Sequence, residues 1–107
     1  MGAVRTKESP LATQKAVVTA SVGLHARPAA VFVRAVTATG LPVTIAKDGI
    51  SGVDARSLLQ VMTADFHHGC EVELAISENV LEDVVSREKA SRVLQELGEL
   101  LESQGAV

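Results

Sequence analysis

Ala16, Val18 and Ala20 alternate with Val17, Thr19 and Ser21. That period of two predicts a short strand beginning near Lys15. Gly23 breaks it. The period then becomes helical: Ala29, Phe32, Val33 and Val36 share one apolar stripe. A helix starting near His25 tolerates Pro28, because the first turn has no intrahelical partner for its amides. Gly40 and Pro42 end that helix. Val43 and Ile45 alternate with Thr44 and Ala46 as a second strand. Asp48-Gly49 is a strong hairpin signal, since both central positions of a type I′ turn need positive φ. Ile50 to Val53 reads as the return strand. Arg56 to Phe66 carries Leu58, Leu59, Val61, Met62 and Phe66, more apolar residues than one helix face needs. It reads as a short helix with Ser57 near its start, ended by His67-His68-Gly69. From Cys70 to Ser77, Val72, Leu74 and Ile76 lie on one side and Glu71, Glu73 and Ala75 on the other. That is a strand with one solvated face. The last helix places Ala90, Val93, Leu94, Leu97, Leu100 and Leu101 on one stripe. Val80, Leu81, Val84 and Val85 are out of phase with it, so the helix starts near Ser86 or bends there. Gly105 lies past its end.

The predicted order is β-α-β-β-α-β-α. Its elements are too short for a doubly wound sheet. Half-polar strands predict a two-layer α+β sandwich, with helices packed on one sheet face. Residues 1–14 are mixed and polar and carry Pro10, which reads as a flexible tail ahead of one domain over residues 15–104.

Composition narrows the functional classes. The chain has 107 residues, of which 47% are hydrophobic, with two Phe and no Trp or Tyr. Little aromatic surface is left to stack on bases, sugars or flavin rings. A net charge of −3 gives no general attraction to nucleic acid or anionic membrane. One Cys and no CxxC exclude an internal disulfide and a Cys-based zinc site. The apolar runs fall far short of the roughly 20 residues of a membrane span. The N-terminus has no apolar h-region, and its Met-Gly start lacks a second membrane cue. The expected setting is the cytoplasm, with no membrane insertion, no nucleic acid, no cofactor and no metal.

The chemistry concentrates at His25. A helix start presents unpaired N–H groups and a partial positive charge, both of which favour an anion. That field suits a histidine acting as a nucleophile toward a phosphoryl group. Arg27 supplies a guanidinium able to pair with phosphate oxygens. Gly23 lets the loop fold closely around the site. Phosphoryl transfer asks mainly for such positioning and charge stabilisation. The plainer reading is that His25 only caps a helix and Arg27 is a solvated charge.

The segment Gly23-Leu24-His25-Ala26-Arg27-Pro28-Ala29 resembles the active-site segment of the HPr family, the histidine-containing phosphocarriers of the bacterial phosphoenolpyruvate:sugar phosphotransferase system. The match continues through Phe32-Val33, Asp48-Gly49, Asp54-Ala55-Arg56-Ser57-Leu58-Leu59, and Met62 to Gly69-Cys70-Glu71-Val72. It covers about residues 15–102. The resemblance implies an open-faced β-sandwich, a four-stranded antiparallel sheet with three helices on one face. His25 would carry the phosphoryl group on Nδ1, received from enzyme I and passed to sugar-specific IIA domains. Such a protein holds the group covalently and is not a stand-alone catalyst. Arg27 would steady the phosphate. Ser57 would match a regulatory phosphosite, with an HPr kinase/phosphatase and a transcriptional regulator as further partners. Ala26, Ala30, Leu58, Leu59 and Met62 would form the docking patch, and the carrier would act as a monomer.

Alternatives remain at this point. The carrier belongs to the sugar branch, or to a nitrogen-related or dihydroxyacetone-kinase chain, or it is a docking-only regulator switched at Ser57. Ser57 reads equally as a plain helix N-cap. Met62 reads as core or as patch, and Phe66 as core. His67 and His68, adjacent and so divergent, read as a solvated loop. Cys70 reads as a small buried residue. Glu78, Glu82, Asp83 and Glu88 read as solvated surface. The chain departs from the family pattern at Val22, Gln60 and Asp65, and the stretch 78–85 is longer than usual. If Asp65 faces the site, its charge is expected to oppose phosphate or an acidic partner.

Overall fold

The computed structural model describes residues 10–47, 50–77 and 87–105. The elements are β1 (Pro10–Val17), α1 (Ala26–Thr39), β2 (Val43–Lys47), β3 (Ile50–Asp54), α2 (Leu58–Thr63), β4 (Glu71–Ser77) and α3 (Arg87–Ser103). The four strands form one antiparallel sheet in the order β1-β4-β2-β3. β4, last in sequence, sits between β1 and β2. It aligns Ala16 with Val72 on one side and Ile45 with Leu74 on the other. This is the expected open-faced α+β sandwich.

Even-numbered positions of β1 and β4 and odd-numbered positions of β2 turn toward the helices. Ala12, Ala16, Val43, Ile45, Val72, Leu74 and Ile76 are all buried. Against them lie Ala29, Phe32 and Val36 of α1, Val61 of α2, and Ala90, Leu94, Leu97 and Leu101 of α3. Both phenylalanines are fully buried. No polar or charged residue is buried among the described residues. Also among them, no helix is long and apolar enough to cross a membrane.

Two elements differ from expectation. β1 begins at Pro10, so residues 10–14 belong to the sheet and not to a tail. Ala12 continues the buried alternation of Ala16, but Gln14 interrupts it in sequence. Gln14 is half-buried, and a Cβ added at Gly98 of α3 would meet its Cγ at 3.3 Å. The aliphatic stem of Gln14 thus fills an inward position opposite the helix. α2 is shorter than Arg56 to Phe66. Arg56 lies ahead of it, bonded to the Asp54 carboxylate through its amide (2.9 Å) and Nε (3.1 Å). Asp65, at φ 61°, ends the turn and sends Phe66 into the core. α3 is described from Arg87 onward, and the start expected near Ser86 lies outside the described residues. The Asp48-Gly49 turn, residues 1–9 and the Glu78–Val85 stretch lie outside the described residues. Lys47 aligns with Ile50 across the β2–β3 hairpin.

Candidate functional site

Past its assigned end, β1 keeps its hold on the β4 side. The Val18 amide donates to Cys70 O (2.9 Å), and the Gly69 amide donates to Val18 O (2.7 Å). The chain then turns, with Gly23 N–H donating to Ala20 O (2.8 Å). Leu24 N–H donates to Phe66 O at 2.8 Å, which ties this turn to the segment after α2. The approach is so close that a Cβ at Gly23 would sit 2.8 Å from Phe66 O and 3.0 Å from His67 Cα. Gly23 also has φ 77°, a left-handed conformation that penalises side chains.

His25 follows as the N-cap of α1, with extended backbone (φ −134°, ψ 162°). Its carbonyl accepts the first helical bond, from Ala29 N–H at 3.4 Å. Its imidazole makes no capping hydrogen bond, so the side chain is not engaged as a cap. Ala26 has φ 51°, which costs an L-residue roughly 1–2 kcal/mol. Among the described residues, the amides of Ala26 and Arg27 have no hydrogen-bond partner. Pro28 brings no amide to this turn at all. Two orphan donors, the positive end of α1 and the exposed Arg27 therefore lie within two residues of a half-exposed imidazole. The far end of the molecule supports this start. Gln104 Nε2 donates to Pro28 O (3.1 Å), and Thr19 Oγ1 donates to Leu101 O (2.7 Å).

Asp65 faces the site. Its Oδ1 lies 3.5 Å from His25 Nε2, and its side chain is 75% exposed against 35% for the histidine. Its carbonyl accepts from Lys47 Nζ at 2.6 Å. The same ammonium lies 5.7 Å from the Phe66 ring centroid.

Ser57 is the N-cap of α2, and its Oγ accepts from Gln60 N–H at 3.2 Å. Gln60 Oε1 in turn accepts from Asp54 N–H at 3.1 Å. Ser57-Leu58-Leu59-Gln60 thus works like a capping box whose Gln reaches back beyond the cap. That role for Gln60 was visible in the S-x-x-Q pattern but was not read from it. The Arg56 guanidinium and amide bonded to Asp54 hold that carboxyl below its ordinary range.

α1 and α2 pack against one another. Ala26 is exposed and Ala30 half-buried on α1. On α2, Leu58 is 40% and Leu59 72% exposed, while Met62 is half-buried against the core. Val22, 58% exposed in the turn before His25, is a further apolar surface residue here. The surplus of apolar residues in α2 is therefore a surface feature. His67 and His68 are exposed, and Cys70 is buried. Burial pushes the Cys70 thiol up from its ordinary range.

The model of the phosphotransferase-system HPr component phosphorylation site matches residues 12–103. The phosphocarrier protein HPr of Streptomyces coelicolor is 48% identical over 81 residues, 76% of this chain and 86% of that protein. The crystal structure of HPr-C-His from Thermoanaerobacter tengcongensis superposes with a TM-score of 0.65 at 27% identity, covering 89% of this chain and 96% of that one. The phosphocarrier protein HPr from Bacillus anthracis gives 0.66 at 26% identity, covering 82% and 93%. With the three helices, the His25 turn and all of the sheet but Pro10 and Leu11 inside the matched region, the chain belongs to the HPr family of phosphocarrier proteins of the phosphotransferase system.

Proposed function

We propose that His25 carries the phosphoryl group, accepting it from the phosphohistidine of enzyme I and passing it to IIA domains in phosphoenolpyruvate-dependent sugar uptake. The observation that carries this reading is an imidazole at the start of a helix that it does not cap, beside two unpaired amides. In the forward step the Nδ1 lone pair bonds to phosphorus. The bond from phosphorus to the donor nitrogen breaks, and its electron pair returns to the donor imidazole. The Arg27 guanidinium and the Ala26 and Arg27 amides offset the charge on the transferring oxygens. The reverse geometry serves the acceptor.

Ala26, Ala30, Leu58, Leu59 and Met62, joined by Val22, form the apolar ring on which partners dock in turn. Leu and Met suit successive partners because they repack readily. Ser57 is the regulatory site. A phosphate there stays next to the α2 amides but adds charge beside the docking ring. The carrier works as a monomer in the cytoplasm.

The test is to incubate the protein with phosphoenolpyruvate and a sugar-system enzyme I. An acid-labile, base-stable phosphate is expected on wild type and absent from His25→Ala. No label on wild type would reject the sugar-branch reading.

A further inference from the structure

We infer that Asp65 is a positioning residue for His25: its carboxylate accepts the Nε2–H, so that the ring keeps its Nδ1 lone pair bare for phosphorus. The inference deepens the carrier reading and rests on it for the phosphorylated state alone.

The residues argue for it as follows. Half-exposed His25 and exposed Asp65 are the chain neighbours of two fully buried residues, Leu24 and Phe66. Leu24 N–H and Phe66 O are bonded to each other at 2.8 Å. The two side chains are thus delivered to one spot by the main chain. Asp65 is further held through its carbonyl by Lys47 Nζ at 2.6 Å. Its φ of 61° is a left-handed conformation that Asp tolerates, and among the described residues its carboxylate makes no hydrogen bond to the turn itself. Instead it reaches the imidazole, at 3.5 Å from Nε2. That is longer than a formed charge-assisted hydrogen bond. Such contacts tighten when the reacting state develops.

A histidine's two nitrogens are not equivalent, and the partner of one decides the state of the other. A carboxylate at Nε2 retains the proton there. Nδ1 is then the unprotonated nitrogen, on the opposite side of the ring from Asp65. When the N–P bond forms at Nδ1, the Nε2 proton stays in place and the ring takes on positive charge. That charge develops next to Asp65, whereas the phosphoryl oxygens lie beyond the ring. The phosphoryl oxygens carry about twice the ring's charge at roughly twice its distance from Asp65. Arg27 and the Ala26 and Arg27 amides offset part of that charge, which leaves the attraction to the ring the larger. This runs against the expectation that the charge of Asp65 opposes phosphate, and the two measurements below decide between them. The other charged groups at the site are Arg27 on α1, which is exposed, and Lys47, which is committed to the Asp65 carbonyl.

Two measurements decide this. Long-range nitrogen-15 spectra of the unphosphorylated imidazole give the ratio of Nε2–H to Nδ1–H tautomers. Wild type is expected to exceed Asp65→Gly by about two- to fivefold in that ratio, the range for an exposed ion pair. Asp65→Asn, which keeps an acceptor oxygen without the charge, is expected between them. Equal ratios in all three overturn the inference, and this arm needs no enzyme I. The second measurement is the phosphorylated fraction at equilibrium with enzyme I and limiting phosphoenolpyruvate. Asp65→Gly is expected to lower the phosphorylated-to-free ratio about two- to fivefold. A ratio that rises instead means that repulsion wins, and the inference fails. If wild type takes no label, the carrier reading falls and the tautomer ratio alone decides.

Discussion

The approach of the His25 turn to the segment after α2 makes a quantitative prediction through two glycines. Gly23 and Gly69 both have positive φ, 77° and 85°. Alanine at either position pays roughly 1–2 kcal/mol for the left-handed conformation. Their surroundings differ. A Cβ at Gly69 meets nothing within 4 Å, whereas at Gly23 it would meet Phe66 O at 2.8 Å and His67 Cα at 3.0 Å. Both obstacles at Gly23 are backbone atoms, so no side chain can swing away. The turn must move, and the first bond lost is Leu24 N–H to Phe66 O. A hydrogen bond of this kind contributes about 1 kcal/mol, and more where its groups stay buried and unpaired. Gly23→Ala is therefore expected to destabilise by roughly 2–4 kcal/mol, and Gly69→Ala by only its conformational share of roughly 1–2 kcal/mol.

Urea unfolding of the two variants and wild type measures the difference directly, through the midpoint at constant m. Heating should separate the variants by about 4–8 °C for each kcal/mol of gap. Equal losses for Gly23→Ala and Gly69→Ala would refute the close approach. So would a Gly23→Ala protein in which the amide resonances of Leu24, His25 and Phe66 do not move.

Three further outcomes follow from the same geometry. Ser57→Ala removes the acceptor for Gln60 N–H and should cost about 1 kcal/mol in urea unfolding, where no loss would deny its capping role. Asp54, held low by Arg56, stabilises the fold above its unfolded pKa, and that contribution is lost as pH falls through the lower folded value. The stability gap between wild type and Asp54→Asn should thus be widest near neutrality and close in acid, and a gap that widens in acid would contradict it. Cys70, buried with its thiol pushed up, should react with a thiol reagent at pH 8 only after urea is added.

The order of elements was legible because each obeys its own period. α1 shows its buried Ala29, Phe32 and Val36 at helical spacing, and β4 shows Val72, Leu74 and Ile76 at a spacing of two. β1 failed at its start because Gln14 takes an inward place among alanines, which no alternation rule anticipates. The start of α2 was legible in Ser57, which caps it, but its end came early because Asp65 turns left-handed and Phe66 is held by the core. At the site, His25 was visible as a helix start with Gly23 and Arg27 around it. The nearness of Asp65 was not, since it depends on a main-chain bond between Leu24 and Phe66 that carries no side-chain signature.

That bond explains how the main chain, in a protein with only two aromatic residues, aims the side chains of the site. Leu24 and Phe66 are 0% exposed, so the direction of each is set by the core. Their neighbours His25 and Asp65 then have little freedom to point elsewhere. The site is held by burial one residue away and by backbone bonds, with Lys47 Nζ and Gln104 Nε2 each tying a main-chain carbonyl beside it. An exposed residue on such a frame can be exchanged without unfolding it, because the frame does not use its side chain. Asp65 is the case in point: the carboxylate touches nothing that the fold needs, and the atom it does approach is Nε2 of the histidine. Asp65→Asn, which tolerates the same left-handed backbone, should therefore change the chemistry of His25 while leaving the unfolding midpoint nearly where it was. Loss of stability in step with loss of transfer would instead make Asp65 part of the frame.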